Sequence, residues 1–296
     1  MAVPTRYVVH QTPVIATLVR TVAKAATQKP GGAPLQVPGQ VYSAVVPPRP
    51  RELVRDYVRH VGGDPSSYKN TVPPHLFPQW MFPIQARTMD GLHYPMQKVL
   101  NAGCKMIVRG PIPADEPLHL TCQLERIDDD GRRAVLHTRA ITGTESSPEA
   151  LICEMQALVP LRRSEKKSGE AKQRPQVPDQ AKELQRWKLD AKAGLDFAKL
   201  TGDFNPVHWI PPYAKASGFK STILHGFSTL ARAYEGIVRT RLSGNASAIR
   251  ELEGRFTKPL VLPARVGLYV DGQALFVGDA PGGPAYLVGS YTADLP

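Results

Sequence analysis

The sequence has few cysteines and no long apolar run. Its 296 residues include only Cys104, Cys122 and Cys153, and none of these forms a CxxC pair. An odd number of widely spaced cysteines argues against a disulfide framework or a cysteine-rich zinc cluster, and it favours a reducing location such as the cytoplasm. Because no uninterrupted apolar stretch could cross a bilayer, we predict no membrane span.

Acidic residues are missing from residues 1–51, which contain six Lys and Arg. A second basic stretch, residues 162–188, has nine basic and four acidic side chains, and the two stretches account for most of the formal charge of +11. A solvated tail and linker explain this excess most simply. Attraction to coenzyme A phosphates or to an acidic carrier protein is the alternative. No basic motif of the known nucleic-acid modules is present, so we predict no specific nucleic-acid partner.

The N-terminal segment TPVIATLVRTVAKAA is apolar and basic with helical spacing. The pattern is similar to a transit peptide, but it is equally typical of an amphipathic helix packed on a domain, which we favour. Arg20 and Lys24 interrupt the segment and exclude a secretory signal. The composition predicts four parts: a basic helical extension over 1–37, a folded half over 38–161, a charged linker over 162–184 and a second folded half over 185–296.

Both halves have the same order of elements. In the second half, apolar residues from Phe227 to Val238 fall on one face of a long helix, and strand-forming segments with a turn at Asp271-Gly272 follow. The first half has helical candidates and then strands with a turn at Asp130-Gly131. This repetition predicts an α+β fold made by tandem duplication.

One stretch of the second half, TGDFNPVHWIPPYAKASGFKSTILHGF, concentrates polar side chains. Asp203 and His208 are five residues apart in a loop fixed by glycine and proline, and such a pair can divide proton transfers worth ~10²–10⁴ in rate. Gly226 opens the long helix, where a free backbone N–H favours developing negative charge. The arrangement suits reversible proton removal next to a carbonyl, with water added or lost at the beta carbon.

These residues resemble the signature of the MaoC-like, or (R)-specific enoyl-thioester hydratase, family. The resemblance implies a double hotdog fold, in which a long helix is wrapped by an antiparallel sheet in each half, with a degenerate first and a catalytic second hotdog. It implies that the protein is a hydro-lyase and that Asp203 and His208 are the catalytic pair. Asn205 would orient the loop, and the Gly226 N–H would polarise the thioester carbonyl.

Two further positions receive supporting roles by the same resemblance. His225 is expected to support Gly226 at the start of the helix, and Tyr234 is expected to line the acyl pocket or the core. The first half lacks the pair: setting Gly63-Asp64 against Gly202-Asp203 places Lys69 opposite His208, and no His-Gly dipeptide follows.

The predicted substrate is a trans-2-enoyl thioester of coenzyme A or of an acyl carrier protein, in fatty acid metabolism, with no cofactor. A homodimer is expected by family analogy. The alternatives are a hotdog acyl thioesterase and a non-catalytic acyl-carrier-binding module. A metal site of Asp203, His208 and His225 would lack a convincing fourth ligand, and we expect none. The sequence has no GxSxG, P-loop or dinucleotide motif.

Overall fold

The computed structural model describes residues 3–27, 36–96, 99–161 and 174–294. In these ranges the helices are α1 (Thr12–Thr27), α2 (Arg51–His60), α3 (Pro78–Thr88), α4 (Ala193–Thr201), α5 (Pro211–Ala216) and α6 (Gly226–Arg241). The strands are β1 (Tyr42–Val46), β2 (Leu100–Val108), β3 (Leu118–Asp129), β4 (Arg133–Gly143), β5 (Leu151–Pro160), β6 (Lys182–Leu189), β7 (Ile249–Phe256), β8 (Ala264–Asp271), β9 (Ala274–Gly278) and β10 (Ala285–Ala293).

The ten strands form one antiparallel sheet in the order β1-β3-β4-β5-β2-β7-β10-β9-β8-β6. The second five strands mirror the first five, so each half contributes the same sub-sheet in reverse. The halves join where β2 pairs with β7, from Gly103 opposite Arg255 to Ile107 opposite Glu251. This mirror order supports the predicted duplication and confirms the α+β layout.

Helix α6 occupies the core of the second half. The predicted apolar face from Phe227 to Val238 is buried, as expected from its spacing. Even polar side chains of the helix, including Arg232 and Glu235, are buried, because α6 is covered by the sheet and also by elements of the first half. Its counterpart α3 is shorter and contains Pro83.

Short helices α2 and α4 lead into corresponding turns. Each is followed by a glycine with positive φ, Gly62 at 89° and Gly202 at 85°, a conformation that glycine adopts without a Cβ penalty. A turn of 3-10 helix follows in each half, at Pro65–Tyr68 and Pro206–His208. The two halves thus share this order of helix, left-handed glycine and 3-10 turn.

Part of the predicted linker, residues 162–173, lies outside the described residues. After it, Val177 is buried and β6 begins at Lys182, three residues before the predicted start of the second half at 185. The division of the chain into four parts stays a prediction. A 3-10 turn (Thr5–Gln11) and the helix α1 that follows it pack on the remainder of the protein, with Tyr7, Gln11 and Val14 buried. Within the described ranges, no helix combines the length and apolar character that a membrane crossing requires.

Candidate active site

The loop after α4 is shaped by its own side chains. Gly202 ends α4 in the left-handed conformation, and its N–H donates to Ala198 O at 2.7 Å. The carboxylate of Asp203 then accepts from Asn205 N at 3.3 Å, and Asn205 Oδ1 accepts from Val207 N at 3.3 Å. Asp and Asn commonly close turns in this way. Asn205 is exposed, and its described contacts shape the loop.

Backbone bonds bring this loop to the start of α6. Ile223 N donates to Val207 O at 3.2 Å, and Leu224 N donates to Leu260 O at 2.8 Å. The segment that precedes α6 is therefore held between the turn at residues 206–208 and residues 260–262 of the connection between β7 and β8. As a result His208 lies directly beside His225.

The orientation of His208 follows from its partner. Its Nδ1 lies 2.8 Å from the carbonyl oxygen of Ile223, which can only accept, so Nδ1 carries the proton. In the neutral ring, Nε2 is then the nitrogen that can take up a proton. Burial lowers the pKa of His208 below 6.5, although the Asp203 charge and the Ile223 carbonyl oppose the shift. The ring is therefore a neutral base over a wide pH range.

His225 lies beneath the loop as the N-cap residue of α6. Its Nε2–H donates to the carbonyl oxygen of Asp203 at 2.9 Å, and its ring stacks on that of His208 with 3.6 Å between centroids. Burial and the adjacent His208 hold the pKa of His225 well below 6.5. These contacts are those of a residue that supports the loop, and that role stays a prediction.

The predicted acid–base residues converge. A carboxylate oxygen of Asp203 and one ring nitrogen each of His208 and His225 lie within 4.8 Å of one another. The Asp203 side chain is 14% exposed, so the carboxylate is partly open to solvent. Three such atoms could hold a metal ion. Of the two ring nitrogens of His225, Nε2 already donates to the Asp203 carbonyl oxygen. The set as arranged is suited to proton transfer.

Gly226 is the first residue of α6, so its N–H has no acceptor within the helix. It is partly exposed, in contrast to the buried residues that flank it. A Cβ at this position would lie 2.9 Å from the ring of Phe256. The glycine is therefore needed for packing against Phe256, a reason that the sequence did not reveal, in addition to any approach of substrate to its amide.

Tyr234 lies two turns further along α6 and is fully buried. Its hydroxyl donates to Ala246 O at 3.0 Å, and its ring centroid is 4.8 Å from that of His75. These are the surroundings of a core side chain between the halves. Its place in an acyl pocket stays a prediction.

The sequence interpretation missed a second polar cluster, which we call the first-half cluster: Tyr57, Tyr68, His75 and Glu235. His75 Nε2 lies 2.9 Å from Glu235 Oε1, and both side chains are almost fully buried. His75 stacks on Tyr57 of α2, as His225 packs on Phe197 of α4. A glutamate amid the apolar face of α6 was the available signal for this cluster.

The first-half cluster corrects the predicted correspondence between the halves. Counted from the positive-φ glycines Gly62 and Gly202, the residue opposite His208 is Tyr68, so the placement of Lys69 there was wrong by one residue. Gly63 then stands opposite Asp203. A Cβ on Gly63 would lie 2.3 Å from the carboxyl carbon of Glu235, so a carboxylate from α6 occupies the space beside this glycine.

Comparisons with known proteins give matches in both sequence and structure. A family profile described as a MaoC like domain matches residues 172–274. Enoyl-CoA hydratase ChsH3 of Mycobacterium tuberculosis is 28% identical over 220 residues, which are 71% of this chain and 72% of that protein. The peroxisomal enoyl-CoA hydratase 2 of Arabidopsis thaliana is 28% identical over 180 residues, or 57% of this chain and 58% of that protein. The chain thus spans little more than half of the plant protein.

Among solved structures, HtdX from Mycobacterium tuberculosis has a TM-score of 0.70 and 20% sequence identity, over 86% of this chain and 100% of that chain. At this identity the likeness establishes the fold. It is the double hotdog, as predicted. The family resemblance read from residues 201–227 is confirmed as well.

Proposed function

We propose that this chain, a double hotdog whose second half is a MaoC-like domain, is an (R)-specific 2-enoyl-thioester hydratase and 3-hydroxyacyl-thioester dehydratase. Water would add reversibly to a trans-2-enoyl thioester. The hydratase names of the relatives support this assignment.

One observation carries the proposal: Asp203 and His208 lie together, and His208 stacks on His225, the residue directly before the first amide of α6. The pair has atoms within 4.8 Å of each other, and the His208 tautomer is set by the Ile223 carbonyl. An acid–base pair next to a free helix N-terminus is the arrangement that addition of water to an enoyl thioester requires.

The chemistry divides among three groups. In hydration, the water oxygen bonds to C3 as one member of the Asp203–His208 pair takes its proton. The C2–C3 double bond becomes single, and a proton from the pair completes C2. His208 would act through Nε2, because Nδ1 is bonded to Ile223 O. The Gly226 N–H would stabilise negative charge on the thioester oxygen, and dehydration runs the same steps in reverse.

The test follows the loss of enoyl-thioester absorbance with short-chain and long-chain enoyl-CoA. We expect turnover by the wild type, and a fall in kcat of ~10²–10⁴ for Asp203→Asn and for His208→Gln. Asp115→Asn and His119→Gln change the same residue types at exposed positions and serve as matched controls. Chiral analysis should give the (3R)-hydroxyacyl product.

Other outcomes separate the alternatives. Full activity in both variants would refute the assignment of the pair. Release of free CoA thiol would instead identify a thioesterase. A chain that binds acyl carriers without turning over any enoyl thioester would be a binding module.

We further propose the acyl carrier of the substrate, the oligomeric state and the cellular compartment of the protein. Coenzyme A esters are supported by the names of the relatives, and acyl-carrier-protein esters are the second substrate class to assay. Homodimerisation rests on the family resemblance, and light scattering of the purified protein tests it. A cytoplasmic location is supported by the cysteines, which are all free and buried, and cell fractionation tests it.

A further inference from the structure

The N-terminal segment lies against the helix that leads into Asp203. We propose that residues 3–14, which we call the N-terminal clasp, position residues 202–208, which we call the acid–base loop, and that Gln11 is the positioning residue. This inference rests on the proposed function for its effect on turnover. Its structural part stands on the contacts of the clasp alone.

The first of these contacts is at the end of α4. The last four carbonyl oxygens of a helix receive no hydrogen bond from N–H groups of the same helix, so they need donors from elsewhere. Gly202 N satisfies Ala198 O, and the carboxamide of Gln11 satisfies the next two: Nε2 donates to Lys199 O at 3.2 Å and to Leu200 O at 3.0 Å. Gln11 is 0% exposed, so water cannot replace these bonds cheaply. Leu200 is only three residues before Asp203.

A second contact lies at the glycine that turns the chain toward Asp203. A Cβ on Gly202 would be 2.7 Å from Cβ of Val14, so Val14 fills the space beside this glycine. Val14 is itself buried. Because Gly202 has unusual conformational freedom, a side chain packed against it restricts the backbone where the loop begins.

The clasp is fixed to the other half of the molecule. Gln79 of α3 donates from Nε2 to Gln11 Oε1 at 3.1 Å, and Arg49 donates to Gln79 Oε1 at 3.1 Å. Tyr7 donates to Asp56 of α2 at 2.7 Å. Through Gln11, these hydrogen bonds connect the acid–base loop to helices of the first half, which fix its position.

The corresponding helix end in the first half is built differently. There the backbone closes α2: Gly62 N donates to Arg59 O at 3.1 Å and Gly63 N donates to Val58 O at 2.9 Å. A buried side-chain cap is thus found at the helix that precedes Asp203 and His208. In the other copy, backbone N–H groups alone cap the helix, so a buried side chain is not needed for capping. The difference between the two helix ends therefore points to a role of Gln11 in placing Asp203 and His208.

Gln11→Met tests the clasp in the full-length chain, since methionine keeps the length and volume but removes the donor. We expect kcat for enoyl-CoA hydration to fall about tenfold with KM within about twofold, because loop displacement weakens proton transfer more than substrate binding. Hydrogen exchange should also rise at the amides of Phe204, Asn205 and Val207. Amides of β3 and β4 should keep wild-type protection.

Val9→Ala, at an exposed position of the same segment, is the matched control and should match the wild type. Val14→Ala is the second variant if Gln11→Met fails to fold, with the same pattern and a fall in kcat of about threefold. An unchanged kcat in a folded Gln11→Met protein, or exchange that rises equally in all elements, would overturn the proposal. If the wild type hydrates no enoyl thioester, the proposed function fails, and the exchange comparison still decides the clasp.

Discussion

In the second half, Gly202 is followed by Asp203 and then by His208 six residues after the glycine. In the first half, Gly62 is followed by Gly63 and by Tyr68 at the same spacing. Both copies keep the short helix, the left-handed glycine, the 3-10 turn and a histidine near the start of the next helix. The copies differ in the two side chains that would move protons.

Under the proposed function, the first copy has lost the chemistry of the site without leaving its place empty. The carboxylate of Glu235 enters from α6, lies against Gly63 and bonds His75. Burying a carboxylate is costly unless it is paired, so Glu235 and His75 depend on each other. A polar cluster that holds the halves together occupies the place that corresponds to the acid–base pair.

The largest expected effect is the difference in kcat between variants of His208 and of Tyr68, the residue at the same spacing in the first half. Tyr68→Phe should leave kcat within about twofold of the wild type, whereas His208→Gln lowers it by ~10²–10⁴, because only the latter removes a proton-transfer group. Steady-state assays with enoyl-CoA check both variants. A large loss of kcat in a stable Tyr68→Phe protein would show that the first half takes part in the chemistry.

The next effect concerns stability. Glu235→Leu should lower the free energy of unfolding by about 3 kcal/mol, since it leaves Nε2 of the buried His75 without its acceptor. Glu235→Gln should lower it by about 1 kcal/mol, since the amide keeps an acceptor. Urea titrations monitored by circular dichroism measure both. Glu145→Gln, at an exposed position, is the control. Equal stability of all three variants would contradict the role of the cluster.

The histidines of the second half predict a dependence on pH. Burial lowers the folded-state pKa of His208 and of His225 below 6.5. The unfolded chain therefore binds more protons than the folded chain as the pH falls, so stability is full above about pH 6.5. It declines between pH 6.5 and the folded-state pKa of each histidine, with a limiting slope of about 1.4 kcal/mol per pH unit for each imidazole. His225→Asn should give a shallower decline in urea titrations at several pH values. The same slope in variant and wild type would show that His225 is not held neutral.

The smallest effect is at the junction of the halves. Lys105 of β2 and Glu251 of β7 form an ion pair at 3.0 Å, with side chains 33% and 40% exposed. At this exposure a double-mutant cycle with Lys105→Met and Glu251→Gln should give a coupling of about 0.5 kcal/mol or less. A coupling several times larger would mean that the ion pair, rather than the backbone ladder, holds β2 to β7.

The sequence predicted the elements whose burial pattern is local. Helix α6 was evident because its apolar residues repeat at helical spacing, and the strands near Asp271-Gly272 because a turn signal separates strand-forming runs. Edge strands were missed. The β6 sequence KELQRWKL is charged and polar, and its extended form is decided by pairing with β8, which the segment does not encode by itself.

The site divides in the same way. The proximity of Asp203 and His208 was predictable because one continuous stretch contains both. Their catalytic roles and that of Gly226 stay predictions. His75 and Glu235 are 160 residues apart and meet only when the two halves pack, so no spacing rule could connect them. The contact of Gln11 with the end of α4 joins positions even further apart, 188 residues. Burial then sets the histidine pKa values, and burial is a property of the assembled fold.

Because β2 and β7 belong to one chain, the pairing of the two hotdogs does not depend on protein concentration. Two separate chains that meet across such an edge would dissociate on dilution, by mass action. Here both edges belong to one polypeptide, so pairing is a unimolecular step with a high effective concentration. The contacts that the first half makes with α6 should therefore persist at any dilution, and the specific activity of the folded chain should not fall as the protein is diluted.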